Sequence, residues 1–149
     1  MEEEVNMSVN LKAPKKDELY SIPGIQLGVA EAEIKYKSKK DLLVIYIDSG
    51  AAIAGIFTKN KFTAAPVIVA KEHLKISKAT RALVVNTGSA NAGTGEDGLK
   101  SARAVCEMVA SELNINATDI LPFSTGKCVI IIPVEKISMG IPIAIKNLK

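Results

Sequence analysis

The chain has 149 residues, of which 48% are hydrophobic and 4% aromatic, and its formal net charge is +3 from 19 basic and 16 acidic residues. This length and apolar content suit one folded domain with an aliphatic core and exclude a disordered chain. The balanced charge, the scattered lysines and the scarcity of aromatic residues argue against nucleic-acid binding. The sequence contains no signal-peptide pattern and no apolar run long enough to span a membrane, so we expect a cytoplasmic protein.

The first half of the chain is dominated by strand patterns. Residues 25–34 alternate weakly, and residues 41–48 are mostly apolar and β-branched, so both are predicted to be strands. A Ser-Gly turn at 49–50 predicts that residues 51–57 form a second strand and close a hairpin. Residues 64–70 contain Pro66, which favours either an edge strand or the start of a helix.

The second half combines short strands with one strong helix pattern. A predicted strand at 81–85 leads into small residues at 87–97, and a helix is predicted at 97–113. Thr94 and Asp97 fit a capping box at the start of this helix. The remaining predicted elements are strands at 120–123 and 129–132 and a short helical turn at 135–139.

These elements predict a mixed α/β fold of α+β character, in which a mixed or antiparallel sheet is packed by helices. Residues 1–22 are interpreted as an N-terminal extension, and residues 23–149 as one domain. Cys106 and Cys128 occupy different contexts and are expected to be free thiols. His73 has no partners at metal-ligand spacing, so we expect it to have a surface or structural role and expect no metal site.

The small residues at 87–97 form a candidate ligand site, because ligands of α/β sheets tend to bind where strands end and helices begin. This segment is neither a P-loop nor a G-x-G-x-x-G fingerprint. A compact loop that requires only tight packing explains it equally well. Asn86 and Asn91 are the polar candidates for substrate contact, although local backbone hydrogen bonding is the commoner role of Asn in loops.

Ser124, Thr125 and Gly126 follow a predicted strand and form a second candidate site. A Ser or Thr nucleophile needs a base nearby, yet His73 is not adjacent in sequence and no G-x-S-x-G elbow is present. A donor role suits these residues better, since the Thr125 hydroxyl and the Gly126 N–H could stabilise an oxyanion. The alternative is an ordinary turn closed by a Ser or Thr side chain.

Several motifs occur together in a characteristic order over residues 23–126. They are Phe57-Thr58-x-Asn60, Ala64-Ala65-Pro66-Val67, Val85-Asn86-x-Gly88-x-Ala90-Asn91-Ala92, Thr94-Gly95 and Ser124-Thr125-Gly126. In this order the chain resembles the N-terminal part of the ornithine acetyltransferase family of arginine biosynthesis, whose members are also called bifunctional glutamate N-acetyltransferase/amino-acid acetyltransferase.

The resemblance implies a layered α/β sandwich and a precursor that cleaves itself before a threonine, which becomes the nucleophile of the second chain. That threonine takes an acetyl group from N-acetylornithine, or in some members from acetyl-CoA, and passes it to glutamate through an acetyl-enzyme. The family's oxyanion pair corresponds to Thr125 and Gly126 here. The resemblance implies no bound cofactor, and it implies small-molecule substrates.

The sequence departs from the family pattern after Gly126. Lys127 and Val129 stand where the family has an apolar residue and a glycine, and no Ala-Thr-Met-Leu cleavage motif is present. We therefore expect the chain to stop before the nucleophile, to be inactive alone and to need the missing C-terminal portion or a second chain. An apolar sheet face left open would also favour association into an oligomer.

Two other interpretations are an enzymatically inactive remnant and a small α+β binding module. In the binding module, residues 124–126 would not approach residues 86–95.

Overall fold

The computed structural model describes residues 14–149, in which four strands form one mixed sheet. The strands are β1 (Ile25–Ala30), β2 (Leu42–Ile47), β3 (Ala82–Ser89) and β4 (Ile120–Lys127), and they lie in this order across the sheet. The β1–β2 and β2–β3 pairs are antiparallel, and the β3–β4 pair is parallel. The helices are α1 (Ala65–Ile76), α2 (Gly95–Leu113) and α3 (Val134–Lys146), with short 3-10 turns at Lys16–Glu18 and Ala117–Asp119. The predicted mixed α/β fold class is confirmed.

One face of the sheet, here called the inner face, packs against the helices. Side chains alternate along each strand, and Leu42, Val44, Val84 and Ile120 lie on this face with almost no exposed surface. They share one apolar cluster with the buried stripes of the three helices, which supply Val69, Val105, Cys106, Val109, Ile137 and Ile141.

The opposite, outer face is equally apolar but largely open. The cross-strand registers place one set of side chains there: Leu27, Val29, Leu43, Ile45, Leu83, Val85, Leu121 and Phe123. Leu27 is 49% exposed, Val29 38% and Phe123 45%, whereas Leu121 is buried. The sheet therefore has a covered apolar face and an uncovered one.

The predicted strand at residues 25–34 is shorter in the structure and ends at Ala30. The buried Asp41 carboxylate accepts hydrogen bonds from the N–H groups of Ala32 and Ile34, both at 2.7 Å. These bonds satisfy backbone groups that would otherwise continue the ladder, and the chain turns there instead.

The predicted strand and hairpin at residues 51–57 are wrong. These residues have no regular structure, and β2 pairs with β1 on one edge and β3 on the other. Both edges of β2 are therefore taken, so the following segment has no free edge to join.

The segment around Pro66 is a helix start, the second of the two alternatives. Pro66 lies in the first turn of α1, where its missing N–H costs nothing. The predicted turn at 135–139 belongs to the longer α3, which continues through Pro142. Ile137, Ile141 and other apolar residues bury one face of α3, and this packing outweighs the hydrogen bond that Pro142 removes.

Helix α2 matches the predicted amphipathic helix, although it begins at Gly95 rather than at Asp97. The predicted capping box is wrong. Thr94 occupies the N-cap position without a side-chain cap, and its hydroxyl donates to the Oδ1 of Asn91 at 2.8 Å. The buried Asn91 side chain thus takes the hydroxyl that the capping box would use.

Candidate functional site

Ser124, Thr125 and Gly126 lie on strand β4 and not in a turn after it, contrary to the sequence-based prediction. Both β3 and β4 run four residues beyond their predicted ends. The parallel register pairs Ser124 with Asn86, Thr125 with Thr87 and Gly126 with Gly88. The two candidate segments therefore lie side by side, which argues against the binding-module alternative.

Strand alternation separates the neighbouring hydroxyls of Ser124 and Thr125. Ser124 is half-buried, and its Oγ donates to the Oδ1 of Asn86 at 2.5 Å. Thr125 is exposed and continues the outer-face row of Leu121 and Phe123. Thr125 is therefore the hydroxyl that is available to a ligand.

Gly126 is required by the backbone at this point. Its φ is +136°, and a Cβ there would lie 2.4 Å from the carbonyl carbon of Gly88 and 2.6 Å from the nitrogen of Ser89. Both contacts are with backbone atoms, which cannot move aside without disturbing the β3–β4 ladder. The absence of a side chain on Gly126 allows β3 and β4 to approach this closely.

A cavity of about 500 Å³ opens beside the end of β4. Its volume falls in the range of small-molecule sites, and its walls are mainly apolar with a few hydroxyls. The lining residues include members of four of the sequence motifs: Phe57, Thr58, Ala64, Pro66, Val67, Val85, Ser124 and Thr125. Among these residues, sequence reasoning singled out Ser124 and Thr125 as candidate site residues, although all of them stand in the motifs quoted above.

The predicted strand at 129–132 is wrong, because these residues form an irregular segment held against the small residues after β3. The N–H of Ala90 donates to the carbonyl of Lys127 at 2.9 Å, and the N–H of Val129 donates to the carbonyl of Ala92 at 2.7 Å. The small residues thus allow two backbone segments to pack closely beside Gly126.

Asn86 and Asn91, the two polar candidates for substrate contact, are buried and hydrogen-bonded inside the protein. The Asn86 Nδ2 donates to the carbonyl of Ser89 at 3.1 Å, and the Asn91 Nδ2 donates to the carbonyl of Gly98 at 2.9 Å. Sequence reasoning anticipated such local bonding as their alternative role. It missed the bond between Asn86 and Ser124, which are 38 residues apart.

Val129 has a backbone conformation that suits glycine. Its φ is +61°, a left-handed value that is rare for a β-branched residue, and its side chain is 74% exposed. The family resemblance implies a glycine at this position, and glycine adopts this φ value without strain.

A basic group borders the site beside Gly88. The ammonium groups of Lys35 and Lys39 lie 4.8 and 5.1 Å from the ring centroid of Tyr36. A hydrogen bond with Lys35, and then the charges of Lys35, Lys127 and Lys39, lower the pKa of Tyr36. Lys35, Tyr36 and Lys39 line a small pocket with Asp41, Thr87 and Gly88, beside the end of β3.

The other nucleophilic and ligand-type side chains have structural surroundings. Burial raises the pKa of the Cys106 thiol to about 12, so this thiol stays protonated. Cys128 is a free, exposed thiol. His73 is buried, with its Nδ1 2.7 Å from the carbonyl oxygen of Ile120, a structural role.

Within residues 14–149 the structure contains no group of three His, Cys, Asp or Glu side chains that could hold a metal ion. Among the same residues, no helix has the length and apolarity needed to cross a membrane.

Comparison with known proteins gives consistent matches. The ArgJ family model matches residues 26–149. The arginine biosynthesis bifunctional protein ArgJ of Colwellia psychrerythraea is 45% identical over an alignment of 152 residues. The alignment covers 95% of this chain and 36% of that protein. The chain therefore spans about a third of the length of this curated relative.

Two solved structures share the fold. The crystal structure of ArgJ from Bacillus halodurans has a TM-score of 0.76 and 32% identity, and the match covers 80% of this chain and 62% of that one. The ornithine acetyltransferase of Mycobacterium tuberculosis, crystallised with ornithine, has a TM-score of 0.81 and 29% identity, and the match covers 85% and 68%.

Proposed function

The chain belongs to the ArgJ family, and on that premise we propose that it supplies the oxyanion hole of a glutamate N-acetyltransferase of arginine biosynthesis. The reaction transfers an acetyl group from N-acetylornithine, or from acetyl-CoA, to glutamate through an acetyl-enzyme. The donors are the Thr125 hydroxyl and the Gly126 N–H. The observation that carries the proposal is the exposed Thr125 on the wall of the cavity that the motif residues line.

The chemistry requires donors aimed at the oxygen on which negative charge develops. Attack on an acetyl carbonyl converts that oxygen into an oxyanion, and a hydroxyl and an N–H held on a strand are pre-organised to stabilise it. The strand fixes the direction of each group, so no reorganisation is needed when charge develops. Lys35, Lys39 and Lys127 carry positive charge near this end of the sheet, which suits substrates that carry carboxylates.

We propose that the nucleophilic threonine comes from the remaining portion of the enzyme or from a second chain, which packs on the outer face of the sheet. Two observations support this arrangement. The outer face is apolar and exposed, which is typical of an interaction surface. Thr125 ends the outer-face row of Leu121 and Phe123, so a partner covering that row would reach the oxyanion donors. On this proposal the chain alone is inactive, the enzyme is an oligomer, and its location is the cytoplasm.

The test is substitution of Thr125 in the chain combined with the remaining portion of an ArgJ-family enzyme. Thr125→Ala removes one oxyanion donor and leaves the Gly126 N–H, so we expect kcat to fall by about 10²–10³ with KM nearly unchanged. Thr125→Ser keeps a hydroxyl and is the matched control, expected to retain most of the activity. An unchanged kcat together with a lowered Tm would show that Thr125 has only a structural role.

A further inference from the structure

Asn86 is a buried polar residue among apolar neighbours on the inner face of the sheet. It is 4% exposed and lies between β2 and β4, opposite Leu42 and Ser124 in the two registers. An unpaired amide is costly in such a place, and an apolar side chain would pack there without that cost. The polar residue therefore calls for an explanation beyond packing.

The hydrogen bonds determine which way the Asn86 amide points. Its Nδ2 must face the carbonyl of Ser89, since a carbonyl oxygen can only accept. Its Oδ1 then faces the Oγ of Ser124, which donates to it at 2.5 Å. One side chain thus ties the residue before Thr125 to the end of β3.

Ser89 provides a second tie on the other side of the site. Its Oγ donates to the carbonyl of Ile130 at 2.5 Å and accepts from the N–H of Asn91 at 3.3 Å. Ser124 precedes Thr125 and Gly126 in the chain, and Ile130 follows them. The side chains of Ser124, Asn86 and Ser89 with the Ile130 carbonyl, here called the polar bracket, therefore hold both flanks of these two residues.

We infer that Asn86 and Ser89 are positioning residues that fix Thr125 and Gly126 through the polar bracket. The catalytic meaning of this inference rests on the proposed function, while the mechanical part does not. Ser124 and Thr125 both line the cavity, but Asn86 holds the Ser124 hydroxyl inward, and strand alternation places the Thr125 hydroxyl on the outer face. Loss of the bracket should loosen the outer hydroxyl and the neighbouring N–H without unfolding the sheet.

The experiment compares Ser124→Ala with a matched serine at the opposite end of the strands. Ser77, which follows α1, also donates its hydroxyl to a side-chain oxygen at 2.5 Å, that of Asp119, and Asp119 immediately precedes β4, at the other end of this strand from Gly126. Amide hydrogen exchange and the amide chemical shifts of residues 125–127 are measured by NMR in the chain itself. Ser89→Ala is a second bracket variant.

We expect Ser124→Ala and Ser89→Ala to speed amide exchange at Thr125 and Lys127, whose backbone groups face β3, by about tenfold, and to shift the resonance of the Gly126 amide, which faces the open edge. Ser77→Ala should leave these amides unchanged, and Ser124→Thr, which keeps the hydroxyl, should restore slow exchange. Equal effects of Ser124→Ala and Ser77→Ala at residues 125–127 would overturn the inference.

The kinetic test uses the same variants in the enzyme combined with its remaining portion. Ser124→Ala should lower kcat by about tenfold with KM held, because the donors lose alignment with the transition state rather than with the ground state. Local loosening without any loss of kcat would overturn the catalytic role of the bracket. If Thr125→Ala also left kcat unchanged, the proposed oxyanion role of Thr125 would be wrong. If Thr125→Ala lowered kcat strongly and Ser124→Ala did not, only the inferred role of the polar bracket would be wrong.

Discussion

The inner and outer faces of the sheet carry nearly the same kinds of side chain and have different surroundings. Leu42 on the inner face is 1% exposed, whereas Leu27, a leucine on the adjacent strand but on the outer face, is 49% exposed. Helices cover the first face through one shared apolar cluster, and the second face lies open over much of its area. An apolar strand pattern therefore indicates that a face can be buried, and it does not indicate which partner will bury it.

The comparison also locates the candidate site. Thr125 belongs to the outer face and Ser124 to the inner one, so the site lies where a closely packed layer meets an exposed apolar surface. A functional group benefits from both conditions, because the covered side fixes its position and the open side admits the substrate or the partner.

The largest expected difference is between Leu42→Ala and Leu27→Ala. The inner-face variant should lose about 3–4 kcal/mol of unfolding free energy because it leaves a cavity in a close-packed core. The outer-face variant should lose less than about 1 kcal/mol, since half of its surface is already in water. Urea unfolding of both variants measures the difference. Equal losses would mean that the outer face is covered in solution, and the self-association that this implies would appear in size-exclusion chromatography.

Gly126→Ala tests the point at which the two faces meet. The new methyl group would clash with the backbone of Gly88 and Ser89, so we expect a loss of about 3 kcal/mol in unfolding free energy. Gly50→Ala is the control, because Gly50 also has a positive φ, +92°, but has no neighbouring atoms within 4 Å. It should lose only about 1 kcal/mol. A similar loss in both variants would contradict a specific need for close contact at Gly126.

The two cysteines sharpen the comparison between covered and open regions. Burial raises the pKa of Cys106 to about 12, so the folded chain holds this proton when the unfolded chain has lost it. The contribution of the protonated Cys106 thiol to the unfolding free energy is complete below the pKa of about 9 that the thiol has in the unfolded chain. This contribution is lost as the pH rises toward 12, at up to about 1.4 kcal/mol per pH unit. Unfolding free energies measured from pH 8 to 11 in the wild type and in Cys106→Ala should differ in slope by this amount.

A thiol reagent tests independently whether Cys106 is buried and Cys128 exposed in the folded chain. At neutral pH the exposed Cys128 should react within minutes and Cys106 only after denaturant is added. Rapid modification of two thiols in the folded chain would show that the inner face opens readily.

Val129→Gly is expected to have the smallest effect. Glycine relieves the left-handed strain of an exposed β-branched residue, and its greater freedom in the unfolded chain offsets part of the gain, so stability should rise by no more than about 1 kcal/mol. If the strain also distorts residues 125–126, kcat of the combined enzyme should rise in the same variant. A lowered Tm would show that contacts of the Val129 side chain stabilise the fold by more than its left-handed backbone conformation destabilises it.

Local sequence patterns predicted a large part of the fold. The amphipathic spacing predicted α2, the β-branched run predicted β2, and the junction motifs located both candidate segments. The errors fall where the outcome depends on a distant partner. Residues 51–57 have a plausible strand pattern, but both edges of β2 are occupied by β1 and β3.

The sequence by itself determined which residues can be buried and where the helix periodicity lies, because these follow from side-chain volume and spacing. Only the tertiary structure decided that β3 and β4 run on in parallel through residues 89 and 127, that one sheet face stays open, and that Asn86 meets Ser124. Such choices depend on groups far apart in the chain. A hydrogen bond between residues 38 positions apart leaves no periodic pattern in the sequence, because Asn86 and Ser124 come together only when β3 and β4 pair.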